Sequence, residues 1–243
     1  MSEAGAPLRH RFLPLATSWP AFSIAALLLL AGAFTNRDLL SGRATPCFRD
    51  IGTTQRPSRA LYATLGPSAL NPYASFGQTY YGNPNLVLAY PFPKDPRWLG
   101  VHLLLHLAIG LVGAWLFFRR LVRNEEAALL GALAYGLSGY VLSSCAFLNA
   151  TTTLAWLPWL LASVHAARRG GRLSFASSTF GAAASSMLLV AGGEPALGTI
   201  AILLAASVAL TSTPGTRLRS LTALALGGAI GAVALSPWIL EVL

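Results

Sequence analysis

The feature that most limits this chain is a series of apolar runs, each close to the ~20 residues that a helix needs to cross a bilayer. Pro14 to Phe34 is the first, and Leu99 to Phe118 and Ala127 to Leu148 follow. A polar break at Asn149 to Thr153 precedes a shorter run, Leu154 to Ala167. Leu173 to Ala191 and Ala196 to Leu210 flank Gly192-Gly193-Glu194-Pro195, and Leu221 to Leu243 comes last. Only 10% of residues are charged and 54% are hydrophobic, whereas soluble domains carry about 25% charged residues. That balance excludes both a water-soluble globule and a disordered chain. With two cysteines, Cys47 and Cys145, a disulfide scaffold is excluded as well. The expected fold is all-α: a polytopic membrane protein of about seven transmembrane helices.

Arginine placement orients the spans. Arg9 and Arg11, then Arg119, Arg120 and Arg123, then Arg168, Arg169 and Arg172, then Arg217 and Arg219 all fall on one side. By the positive-inside rule that side is cytoplasmic. Residues 1–13 are then a cytoplasmic tail, residues 36–98 an extracytoplasmic loop and residues 99–243 a helical bundle, all within one membrane domain. The uncleaved first helix is favoured over a signal peptide because it reaches span length and further spans follow. The net charge of +9 is explained by these loops and implies no nucleic-acid partner. The partners expected are membrane lipids.

The loop is unlike the rest of the chain. It holds eight of the fifteen prolines and three of the eight acids, the composition of turns and irregular backbone. Ser58 to Leu65 suits a short surface helix, and Tyr73, Phe76, Tyr80, Tyr81, Tyr90 and Phe92 suit the headgroup level or the face of a sugar. Asp50, next to Arg49, has the surroundings of a general base or a cation ligand. Glu194 is an ionisable group between two apolar runs, hence a second candidate.

Several of these segments together resemble the YfhO family of bacterial membrane proteins, which are similar to GT-C glycosyltransferases. The segments are Asp50, Gln55-Arg56-Pro57, Asn71-Pro72-Tyr73, Gly77-Gln78, Gly82-Asn83-Pro84 and Tyr90-Pro91. Ala132 to Ser144, Trp156-Leu157-Pro158, Gly192 to Pro195 and Pro237 to Glu241 continue the order. Leu70 stands where that family usually has tryptophan, and Glu194 stands where a histidine is expected near the proline. The resemblance implies a glycosyltransferase in the bacterial inner membrane, using a polyprenyl-phosphate sugar as donor. Asp50 would be the catalytic base and Glu194 a secondary acid. Arg49, Arg56 and Arg59 would meet the donor phosphate, and Asn71, Tyr73, Gln78, Asn83 and Tyr90 would line the substrate site. The resemblance leaves a divalent cation open and names no resident metal ligand. Family members are several times longer, which implies an N-terminal portion whose missing helices a second polypeptide would supply. A lipid-linked substrate transporter and a non-catalytic assembly module are the alternatives.

Two further patterns bear on packing. His102 and His106 share a helix face, and bonding to a neighbouring helix is expected over metal binding. Gly131/Tyr135/Gly139, Ala182/Ser186 and Gly227/Gly231 have the four-residue spacing that permits close helix contact. The orientation is testable in a background with Cys47 and Cys145 replaced by serine. Impermeant thiol labelling from outside the cell should modify Ser68→Cys and spare Gly170→Cys; the reverse pattern overturns it.

Overall fold

The computed structural model describes residues 37–41, 43, 85, 97–122, 124–145, 147–169 and 171–242. Within them every regular element is a helix. They are α1 (Arg37–Leu40), α2 (Arg97–Val122), α3 (Glu125–Gly136), α4 (Gly139–Ser144), α5 (Leu148–Ala166), α6 (Arg172–Val190), α7 (Pro195–Leu210) and α8 (Pro214–Val242). The first expected span, the Ser58–Leu65 helix and nearly all of the loop lie outside the described residues. Among the described residues, four segments are long and apolar enough to cross a membrane: Gly100–Val122, Glu125–Ser144, Arg172–Val190 and Pro214–Ser236. Pro195–Leu210 is apolar but shorter. The chain is a helical membrane protein.

Local chemistry sets the ends of these helices. Asn124 caps α3, its side chain accepting from the Ala127 amide at 2.9 Å. Glu125 and Glu126 occupy the first turn, where acids meet the positive end of the helix dipole. Pro195 opens α7 and Pro214 opens α8, positions at which a missing amide proton costs nothing. Gly171 (φ 102°) and Gly193 (φ 79°) hold the turns before α6 and α7 in a conformation that other residues adopt at a cost.

Two boundaries differ from the sequence expectation. The run read as one helix from Ala127 to Leu148 is interrupted at Leu137 and Ser138, where Ser138 both donates to Tyr135 O (2.7 Å) and caps α4 through Val141 N (3.3 Å). The polar break read at Asn149 to Thr153 is helical instead, forming the first turns of α5. Two of its threonine hydroxyls reach back to nearby carbonyls: Thr151 donates to Ser144 O at 2.8 Å, with Phe147 O at 3.2 Å, and Thr152 donates to Leu148 O at 2.8 Å. Polar side chains that bond in this way fit inside a helix packed by protein.

Helix α5 is the centre of the bundle, packing against α2, α6, α7 and α8. Leu160, Val164, Ala182, Leu189, Ala201, Ala205 and Ala209 form a buried cluster shared by α5, α6 and α7. The expected small-residue contacts hold on α8: a Cβ at Gly227 would lie 2.7 Å from Ala182 Cβ, and one at Gly231 would lie 2.9 Å from Ala183 O. Gly131 likewise meets the Phe118 ring at 2.8 Å. Gly139 departs from the pattern, with open space where its side chain would be. Gly228 is also open, which gives a matched control. Gly227→Leu should destabilise the protein in detergent by about 1–3 kcal/mol, the usual cost of overpacking. Gly228→Leu should leave the unfolding midpoint nearly unchanged. Equal midpoints for the two variants would assign the Gly227 face to lipid.

Candidate functional site: a polar seam along helix α5

The arginines mark one end of the bundle. At the other end, polar side chains of α5 meet α2, α6 and the loop. His102 and His106 on α2 are both buried, with ring centroids 4.0 Å apart. His106 Nδ1 lies 2.8 Å from His102 O, and a carbonyl only accepts, so Nδ1 carries the proton. Thr152 gives its proton to Leu148 O, so its oxygen accepts from His102 Nε2 at 3.4 Å. The expectation that this face bonds a neighbouring helix holds. No group of three or more His, Cys, Asp or Glu placed to hold a metal ion occurs among the described residues.

Two described parts of the loop meet the bundle: α1 packs against α2, and Asn85, 5% exposed, meets α5 and α6. Its Nδ2 donates to Leu188 O at 2.8 Å, and its Oδ1 accepts from Trp156 Nε1 at 2.9 Å. Because an indole can only donate and a carbonyl can only accept, the two partners fix the orientation of the amide. The side chain is thus a wedge between α5 and the last turn of α6. Thr153 on α5 donates to the next carbonyl, Leu189 O, at 3.3 Å. Gly192 lies against Thr153 so closely that no side chain could be accommodated there. Gly193 borders Asn149, 3.7 Å from where its Cβ would be.

Glu194, one of the two expected acids, follows directly. It is half-buried at the N-terminus of α7, its carbonyl accepting from Gly198 N at 2.9 Å while its side chain makes no capping bond. The turn therefore brings Glu194 to the same end of the bundle as Asn85, Asn149 and the histidines. Asp50, Arg49, Arg56, Arg59, Asn71, Tyr73, Gln78, Asn83 and Tyr90 lie outside the described residues.

Two more bonds in the seam were not expected from the residues alone. Pro158, inside α5, has no amide proton for the carbonyl four residues back, Leu154 O. Tyr135 of α3 supplies one instead, its hydroxyl donating to Leu154 O at 2.6 Å. Trp159 Nε1 donates to Ile109 O of α2 at 2.8 Å. Gly113 makes room for that ring, since a Cβ there would come within 2.5 Å of it. An internal proline is the sequence signal that some donor must reach residue 154.

No protein-family model, no curated protein and no solved structure matches the chain.

The proline and tyrosine can be tested as a pair. Tyr135→Phe leaves a buried carbonyl without a donor and should cost about 1–3 kcal/mol. In a Pro158→Ala background the restored amide bonds Leu154 O, and the same substitution should cost only a few tenths. Equal costs in the two backgrounds, read from unfolding in detergent, would dissolve the link between these residues.

Proposed function

We propose that this chain is the membrane part of a GT-C-like glycosyltransferase of the bacterial inner membrane, with its N-terminus in the cytoplasm. It moves a sugar from a polyprenyl-phosphate carrier to an acceptor on the extracytoplasmic side, where residues 36–98 lie. The observation that carries the reading is the Asn85 wedge. It ties the loop to α5 and α6 at the end of the bundle that holds Glu194. A loop fixed to rigid helices is the arrangement that can hold reacting groups in register.

In this reading Asp50 accepts the proton of the acceptor hydroxyl as the hydroxyl oxygen bonds to the sugar's anomeric carbon. The bond from that carbon to the carrier's phosphate oxygen breaks, and the phosphate leaves with the electron pair. Arg49, Arg56 and Arg59 match phosphate oxygens in pairs and stabilise the leaving group. Asn71, Tyr73, Gln78, Asn83 and Tyr90 offer amides and rings to the sugar. Glu194 is a secondary acid at the rim of the site.

A second reading, a non-catalytic assembly module, draws on how fully the seam bonds itself. The Asn85 amide, the Thr152 hydroxyl and the Tyr135 hydroxyl all engage neighbouring helices. One variant separates the two. Membranes carrying the protein should transfer labelled sugar from a polyprenyl-phosphate donor, and Asp50→Asn should reduce transfer by at least about a hundredfold, the scale of a lost general base. Folding should be intact by thermal unfolding. Undiminished transfer in Asp50→Asn removes the base, and no transfer by the unaltered protein favours the assembly module.

A further inference from the structure

The break between α3 and α4 falls where exposed backbone is most costly. Glu125–Ser144 is 20 residues long and apolar enough to cross a bilayer. Its first part, α3, has 12 residues and starts at the arginine end of the bundle, where Glu125 pairs with Arg119. A helix of that length rises about 18 Å. Gly136 then stands about 12 Å short of the far edge of a hydrocarbon layer about 30 Å thick. At that depth the helical ladder stops.

Backbone groups are left over at the break. Leu137 N donates to Leu133 O at 2.8 Å, Ser138 N to Tyr135 O at 3.2 Å, and Val141 N to the Ser138 hydroxyl at 3.3 Å. The carbonyls of Gly136 and Leu137 and the amides of Gly139 and Tyr140 have no hydrogen-bond partner among the described residues. Every helix end leaves such groups, and water ordinarily meets them. Protein does not cover these. Leu137 is 56% exposed and Tyr140 60%, and a side chain at Gly139 would meet open space. Hydrocarbon offers them neither donors nor acceptors, and irregular backbone is not found facing it.

We propose that the α3–α4 break lines a water-filled cleft, open at the end of the bundle opposite the arginines, through which small polar solutes reach below the membrane surface. Irregular backbone at this depth is tolerated where protein buries it or where it borders water. The exposure of Leu137, Gly139 and Tyr140 leaves the second. Water also suits the groups themselves, because uncharged carbonyl acceptors beside amide donors call for a partner that both donates and accepts. The wall of the cleft continues into polar surroundings: α4 packs against α5, and Thr151 of α5 donates to Ser144 O at 2.8 Å. By contrast, Leu203 lies about 12 Å from the start of α7, at a similar depth and 61% exposed, on a helix without a break.

That pair of positions supplies the test. The full chain, with Cys47 and Cys145 replaced by serine, carries a single cysteine in phospholipid vesicles, and a small charged thiosulfonate is added on both sides. Leu137→Cys should react at least about tenfold faster than Leu203→Cys, since a thiol reacts as its thiolate and ionises only where water reaches it. Tyr140→Cys is a second probe of the break and should match Leu137→Cys. Unchanged unfolding midpoints confirm that the variants are folded. Equal rates at the break and at Leu203 overturn the cleft. A disulfide joining two Leu137→Cys chains, together with slow labelling, overturns it as well and assigns the break to an interface between copies.

Discussion

A carbonyl oxygen inside a bilayer has no water to bond with, so each one must find its donor within the protein. Much of this fold follows from how that demand is met around α5. Pro158 frees Leu154 O, and Tyr135 reaches across from α3 to take it. Trp159 reaches α2 at Ile109 O, which requires a glycine at position 113. Thr153 and Asn85 reach the final carbonyls of α6 at Leu189 and Leu188. Each bond satisfies a backbone group and also fixes the distance between two helices. Packing and polar satisfaction are therefore one problem here, solved by the same side chains.

This explains why a helix lined with buried hydroxyls lies innermost. Leu148–Ala166 does not qualify as a span by hydropathy, yet it buries eleven residues, including Thr151, Thr152 and Thr153. Its surroundings are other helices, so hydroxyls and indole N–H groups are useful there. Helices at the periphery face lipid instead and expose Leu130, Phe180, Leu203 and Val233. Between helices the hydrophobic effect adds little, because lipid tails are as apolar as leucine. Close contact of small residues takes its place, as where Gly227 and Gly231 of α8 lie on Ala182 and Ala183 of α6.

How much of this could be read from the sequence depends on the kind of signal. Apolar length revealed the peripheral helices, since lipid selects for it directly. Spacing of small residues marked faces of α6 and α8 as able to pack closely, because backbone approach needs a missing side chain at each turn, and the structure shows that these two faces meet. The run Asn149 to Thr153 misled, since hydropathy scores a threonine as though its hydroxyl stayed unbonded, whereas Thr152 bonds Leu148 O within its own helix. The interruption at Ser138 was hidden inside an apolar run. Bonds to backbone carbonyls left the weakest trace, as a carbonyl is present at every residue. Tyr135 looked like one member of a glycine pattern, and only Pro158 hinted at its partner. Glu194 stands out in the sequence as an ionisable group between apolar runs. Asn85 was passed over as one more amide in a loop rich in them.

The identity of residue 85 can nevertheless be derived from its surroundings. The position lies between a donor, Trp156 Nε1, and an acceptor, Leu188 O, both in a region shielded from water. Aspartate offers oxygens only and would leave the Leu188 carbonyl without this donor. Lysine offers protons only and would leave the indole N–H unmatched. A buried charge would add its own desolvation cost to either mismatch. Serine can donate and accept, but its short side chain reaches less far from the loop. A neutral amide presents a donor on one edge and an acceptor on the other, in one plane and without charge. Glutamine has the same head on a longer stem, and ordering the extra rotor would cost more conformational entropy. Asparagine is thus the residue best matched to this gap, and the gap exists because the last turn of α6 and the indole of α5 end at the same level.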